Sequence, residues 1–212
     1  NLMMAAQSEY QGKITYDDTE LREIRSEALY EMVSVIQQNV FVFNASIRDN
    51  ITMFSEFPKE EVDRAIALSG LSQLIAERGE AYLCGENGSG LSGGEKQRAW
   101  IAMTICQQPQ ILLLDEPITY LDIGYQVEVL ELVRELCDRL KITIVMVLHD
   151  MNFTARYSDR IYVLKDRRVH TYGDPKQVIE AGNLKQVFNI GSQLYHDEKN
   201  DCPIIIAEKL LQ

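Results

Sequence analysis

The sequence predicts an α/β protein built on a mainly parallel sheet. Ile111–Leu114 and Ile142–Leu148 are continuous apolar runs of strand length, as strands covered on both faces require. Between them Val127, Leu130, Val133, Cys137 and Leu140 recur at helical spacing, which predicts an amphipathic helix packed on the sheet. Strand, helix and strand in that order read as one parallel crossover.

Composition bounds the function. At 212 residues the chain has room for one substantial domain, or for a core with a smaller lobe. An apolar share of 46% and a charged share of 25% are those of a soluble globular protein. The net charge of −11 argues against a nucleic-acid partner, which would call for a basic footprint. No apolar run approaches the roughly 20 residues of a membrane-spanning helix, so a role at a membrane is expected to go through a partner or a segment outside these residues. The four cysteines are scattered without a C-x-x-C pair and read as reduced; Cys106 and Cys137 sit among apolar neighbours as core residues.

Taken in order, Asn1 to Ala6 reads as the tail of a helix whose beginning is absent, and Gly12–Asp18 as a short strand and turn. Val33–Ile36 is a further strand. Pro58, with Glu60 and Glu61 behind it, predicts a helix start whose buried face is Val62, Ala65, Ile66 and Ser69. A second short helix is expected over Leu71–Glu77. Ser92 and Glu95 then stand at capping-box spacing, so that the hydroxyl satisfies one free N–H of a helix while the carboxylate reaches back. Gly93 and Gly94 leave that first turn bare, and a bare helix N-terminus suits a phosphate. The strand at Ile111 ends in Asp115 and Glu116, where ligands of parallel sheets bind; strand alternation is expected to point the two carboxylates apart. One could hold Mg²⁺ and the other polarise a water.

Beyond the second apolar run, a short helix is expected over Asn152–Tyr157. Ile161–Leu164 and Arg168–Tyr172 read as a hairpin, although Asp166-Arg167 stands where Asp-Gly is expected. Gly173-Asp174-Pro175 starts another helix, followed by Leu184–Phe188. From Gly191 onward no motif carries chemistry.

Leu91-Ser92-Gly93-Gly94-Glu95 followed by Ile111-Leu112-Leu113-Leu114-Asp115-Glu116 closely resembles the signature motif and Walker B strand of the ATP-binding cassette (ABC) family. Gln38, or its neighbour Gln37, resembles the glutamine loop; Tyr120-Leu121-Asp122 the D-loop; and Val147-Leu148-His149-Asp150 the switch-histidine loop. The resemblance implies a P-loop NTPase-like, RecA-like core over 1–38 and 109–212, with an inserted helical subdomain over 39–108. It implies ATP and Mg²⁺ as ligands, with Glu116 as general base, His149 at the γ-phosphate and Gln38 sensing metal and water. Asp115 would hold Mg²⁺. Ser92, Gly93 and Gly94 would meet nucleotide bound mainly to a second protomer, and Asp122 would act across that interface. The implied partners are a transmembrane subunit or fused transmembrane domain and a second ATPase protomer, at the cytoplasmic face of the membrane.

No window matches the family's phosphate-binding loop, G-x-x-x-x-G-K-[ST], so the N-terminal strands and that loop are expected to be absent. An alternative reading is therefore a truncated or chimeric module that does not hydrolyse ATP alone. Val40–Ile51 and Gly85-Glu86-Asn87-Gly88 resemble the exporter branch, whereas Thr119–Gly124, Met146–Asn152 and Gly173-Asp174-Pro175 resemble importers of ferric siderophores, haem or vitamin B12.

Overall fold

The computed structural model describes residues 12–36 and 41–210. They divide between Val147 and Leu148 into two compact units.

The first unit opens with a small antiparallel hairpin, β1 (Thr15–Tyr16) and β2 (Thr19–Glu20). A helix not anticipated from the sequence follows, α1 (Ser26–Met32), and runs directly into β3 (Val33–Ile36). β3 pairs in parallel with β4 (Ile111–Asp115), which pairs in parallel with β5 (Thr143–Val147), giving the order β3-β4-β5. The parallel sheet expected from the two apolar runs is therefore present.

β4 is central and its burial follows from that place. Leu112 and Leu114 are buried on one face, while Ile111 and Leu113 pack on the other against a cluster of Leu21, Leu29 and Val33. β5 departs from expectation. It is an edge strand, and Val145 and Val147 are 43% and 49% exposed among the described residues. Apolar content alone does not distinguish a strand covered on both faces from one covered on a single face.

Between β3 and β4 lie α2 (Ile47–Thr52), α3 (Lys59–Leu68), α4 (Ser72–Arg78) and α5 (Gly93–Cys106). Pro58 is the N-cap of α3 rather than its first residue, with Glu60 and Glu61 in the first turn and Val62, Ala65 and Ile66 buried. Both α2 and α3 pack against α5. Ser34 donates its hydroxyl to Gln107 Oε1 at 3.0 Å, which ties the end of α5 to β3. α6 (Ile123–Leu140) joins β4 to β5. Its buried stripe is Val129, Leu130, Val133 and Leu136; Val127, Cys137 and Leu140 are only half-buried. The stripe centres on Val133 and takes its nearest neighbours one turn away on each side.

The second unit contains α7 (Met151–Tyr157), β6 (Ile161–Lys165), β7 (Arg168–Gly173), α8 (Pro175–Val178), α9 (Ala181–Phe188), β8 (Ile190–Asp197) and β9 (Cys202–Leu210). β6 and β7 form the expected hairpin, and Asp166 and Arg167 both take left-handed backbone, at φ 51° and 62°. A two-residue hairpin turn with positive φ at both positions matches strand twist, which is why Asn-Gly usually fills it. β8 and β9 form a second, longer hairpin in the tail, for which no element was expected. Asn152 on α7 exchanges two hydrogen bonds with the Ile205 backbone, at 2.7 and 3.2 Å, and so fixes α7 to β9. Ala155, Ile161, Val178, Leu184, Cys202 and Ile205 form this unit's core.

Candidate functional site

The capping box at the start of α5 is formed as its spacing predicts. Glu95 N–H donates to Ser92 Oγ at 3.2 Å, and Ser92 N–H donates to Glu95 Oε2 at 2.7 Å. The N–H groups of Gly93 and Gly94 belong to the first turn and have no intrahelical acceptor. Ser92 and Gly93 are exposed, but Gly94 is buried. A Cβ at Gly94 would lie 2.7 Å from Tyr125 Cδ1, and one at Gly93 would lie 3.0 Å from Leu121 Cδ2. The glycine pair is thus needed first for close packing against the start of α6. That requirement joins residues about thirty positions apart, and no local pattern announces it.

Asp122 is the N-cap of α6, and its Oδ1 accepts from Gly124 N–H at 3.1 Å and Tyr125 N–H at 3.2 Å. The same cap holds Tyr125 against Gly94. Tyr120, at φ 66°, is 89% exposed and Ile123 is 67% exposed. Both lie in the stretch matched to the D-loop and its flank, and their exposure beside Asp122 is what the sequence did not show.

Asp115 ends β4 and is exposed, while Glu116 lies just beyond the strand and is half-buried. Glu116 sits in the left-handed region at φ 51°, so it does not continue the extended backbone of β4 and the alternation expected of a strand does not apply to it. Its N–H donates to Val147 O at 3.2 Å, and its Oε2 accepts from Thr119 Oγ1 at 3.1 Å. A non-glycine residue at positive φ costs about 1–3 kcal/mol and marks a geometry that the surroundings impose.

His149 is exposed in the bend after β5 and belongs to the second unit, where Asp150 caps α7 by accepting from Phe153 N–H at 2.8 Å. Gln38, with Gln37, lies outside the described residues. Among the described residues no group of three or more His, Cys, Asp or Glu is arranged to hold a metal ion. A lone exposed carboxylate such as Asp115 still suits Mg²⁺, which takes one or two carboxylates and completes its shell with phosphate and water.

A family model described as ABC transporter matches residues 1–119, more than half of the chain. This chain belongs to the ABC transporter family. It is 40% identical over 156 residues to the petrobactin import ATP-binding protein FpuD of Bacillus anthracis, covering 74% of this chain and 54% of that protein. It is 31% identical over 184 residues to the petrobactin import ATP-binding protein FatE of the same organism, covering 84% of this chain and 72% of that protein. Among solved structures, a bacterial Atm1-family ABC exporter with ATP bound matches with a TM-score of 0.74 and 29% identity, over 84% of this chain and 31% of that one. The ABC chain spans about half the length of the first of these import proteins. Its likeness to import proteins in sequence and to an exporter in structure parallels the two branches seen in its motifs.

Proposed function

We propose that this ABC chain is the nucleotide-binding domain of a transporter. It would bind and hydrolyse ATP in a head-to-tail dimer and work with transmembrane components. The observation that carries the reading is the pairing, in one unit, of a capped glycine turn at Ser92 with a parallel strand ending in Asp115 and Glu116. A helix N-terminus offers bare N–H groups to an anion, and a carboxylate beyond a strand end meets the metal and water that accompany a nucleotide.

In this reading Asp115, with Gln38, holds Mg²⁺, which when bound neutralises charge on the nucleotide phosphates. Glu116 is the general base, oriented by Thr119, and His149 contacts the γ-phosphate. Ser92, Gly93 and Gly94 meet nucleotide held by the second protomer, Gly94 through its N–H alone because its open side is filled by Tyr125. Exposed Tyr120 and Ile123 flank Asp122 on the surface that would face that protomer. Residues 39–108 are the helical subdomain that carries the signature turn. No helix among the described residues is long and apolar enough to cross a membrane. In this reading, as the family resemblance implies, the chain would sit at the cytoplasmic face beside a transmembrane subunit or a fused transmembrane domain. Relatives named for petrobactin import favour an iron chelate as cargo.

Calorimetry with Mg-ATP on the chain and on Glu116→Gln tests the reading. Micromolar binding by both, with turnover confined to the unaltered chain, is expected. A folded chain that binds no Mg-ATP would overturn it and leave a non-catalytic, signature-donating module.

A further inference from the structure

The loop that precedes the signature turn is held by a side chain from another helix. Arg78, the last residue of α4, donates from Nη1 to Gly90 O at 2.6 Å and from Nη2 to Glu95 Oε1 at 3.4 Å. Tyr82 donates its hydroxyl to the same Gly90 carbonyl at 2.9 Å, and the Arg78 guanidinium lies 4.9 Å from the Tyr82 ring centre. A Cβ at Gly90 would lie 2.6 Å from the Tyr82 oxygen and 3.1 Å from Cys84 O, so a larger residue there would displace the Tyr82 hydroxyl from the Gly90 carbonyl. Glu95 therefore has both carboxylate oxygens engaged, Oε1 with Arg78 and Oε2 with the Ser92 N–H. With 33% and 24% of their side chains exposed, Arg78 and Glu95 are partly withdrawn from water.

We propose that Arg78 is a positioning residue for the signature turn, setting the aim of Ser92 and Gly93 by holding Glu95 and Gly90 at once. The proposal rests on the nucleotide-binding reading above. A guanidinium suits the task because its planar fork serves two acceptors in fixed directions, whereas an ammonium is a point charge on a flexible stem. It also gives a reason for a glutamate at position 95. Glutamate and glutamine both complete a capping box, but only glutamate adds an ion pair with Arg78.

The test uses the whole chain with Arg78→Ala, Arg78→Lys and Arg78→Ala combined with Glu95→Gln. Amide exchange at Ser92 and Glu95 is the first readout, and it needs no nucleotide. Loss of a charge-assisted contact to the capping carboxylate opens the turn more often, so Arg78→Ala is expected to speed both amides by about tenfold. Arg78→Lys is expected to restore part of the protection. In the Glu95→Gln background the effect of Arg78→Ala is expected to shrink to less than half. The second readout is the Mg-ATP concentration giving half-maximal self-association, measured in a Glu116→Gln background. It is expected to rise severalfold in Arg78→Ala and less in Arg78→Lys. Unchanged exchange overturns the proposal, and so does faster exchange with an unchanged ATP dependence, which would leave Arg78 a structural contact only. A Glu116→Gln chain with Arg78 intact that never responds to ATP overturns the nucleotide reading itself, and the positioning role with it.

Discussion

Replacing Gly94 by alanine should reveal how tightly the signature turn is packed against α6. Two opposed terms decide the sign. Alanine in a helix is favoured over glycine by about 1 kcal/mol, and less in a first turn. Against that, the new methyl would lie 2.7 Å from Tyr125 Cδ1 and 3.1 Å from Cε1, closer than side-chain carbons approach. Overpacking of this kind costs about 1–3 kcal/mol. Tyr125 is 40% exposed and can swing outward, which places the cost toward the lower end of that range. The net expectation is a loss of about 1 kcal/mol. In a Tyr125→Ala background the clash is gone and only the helix term remains, so the same substitution should stabilise by about 0.5 kcal/mol. Trp100, the single tryptophan, lies on α5 and donates its indole N–H to Phe41 O at 2.8 Å, so its fluorescence follows urea unfolding of this region. Equal effects of Gly94→Ala with and without Tyr125 would refute the packing argument, because the two sites would then be additive.

Asp122→Ala removes the cap from α6 and should cost about 1 kcal/mol by urea unfolding, with Asp122→Asn costing clearly less. Replacing Asp166-Arg167 by Asn-Gly relieves two left-handed residues and should raise the melting midpoint of the second unit, read by circular dichroism; a lowered midpoint would mean that those side chains supply more than the turn. A hydrogen bond from Lys176 first, then its charge and the neighbouring His196, hold the Asp201 carboxyl below the usual carboxylate range. With the folded value lowered, the contribution of this contact is full above the ordinary value of about 3.9 and is lost as pH falls through the lowered one. Carbon-13 titration of Asp201 should show its midpoint rising in Lys176→Met; an unmoved midpoint would contradict the pairing.

Local rules made much of the fold legible. The capping box at Ser92 and the helix start at Asp174 are written within four residues, and both form. β3, β4 and β5 were readable as strands, and the parallel pairing of β4 with β5 from the helix between them. What escaped was non-local. The exposure of β5 depends on which face other elements cover, and the packing of Gly94 against Tyr125 and the reach of Arg78 to Gly90 join distant positions. The β8–β9 hairpin escaped for another reason. Its turn has no Asn-Gly or Pro signal and is built instead by Asp197 accepting from Lys199 and Asn200 N–H at 3.0 and 3.3 Å. Within the candidate site, the helix cap at Ser92 and the strand ending at Asp115 were readable, but the left-handed backbone at Glu116 was not.

The most direct measurement is sedimentation of the Glu116→Gln chain with and without Mg-ATP. The account predicts a monomer without nucleotide and a dimer with it, abolished by Ser92→Arg, which would place a long charged side chain on the exposed turn. A chain that stays monomeric at saturating Mg-ATP, or a dimer indifferent to Ser92→Arg, would contradict a nucleotide site shared between two protomers.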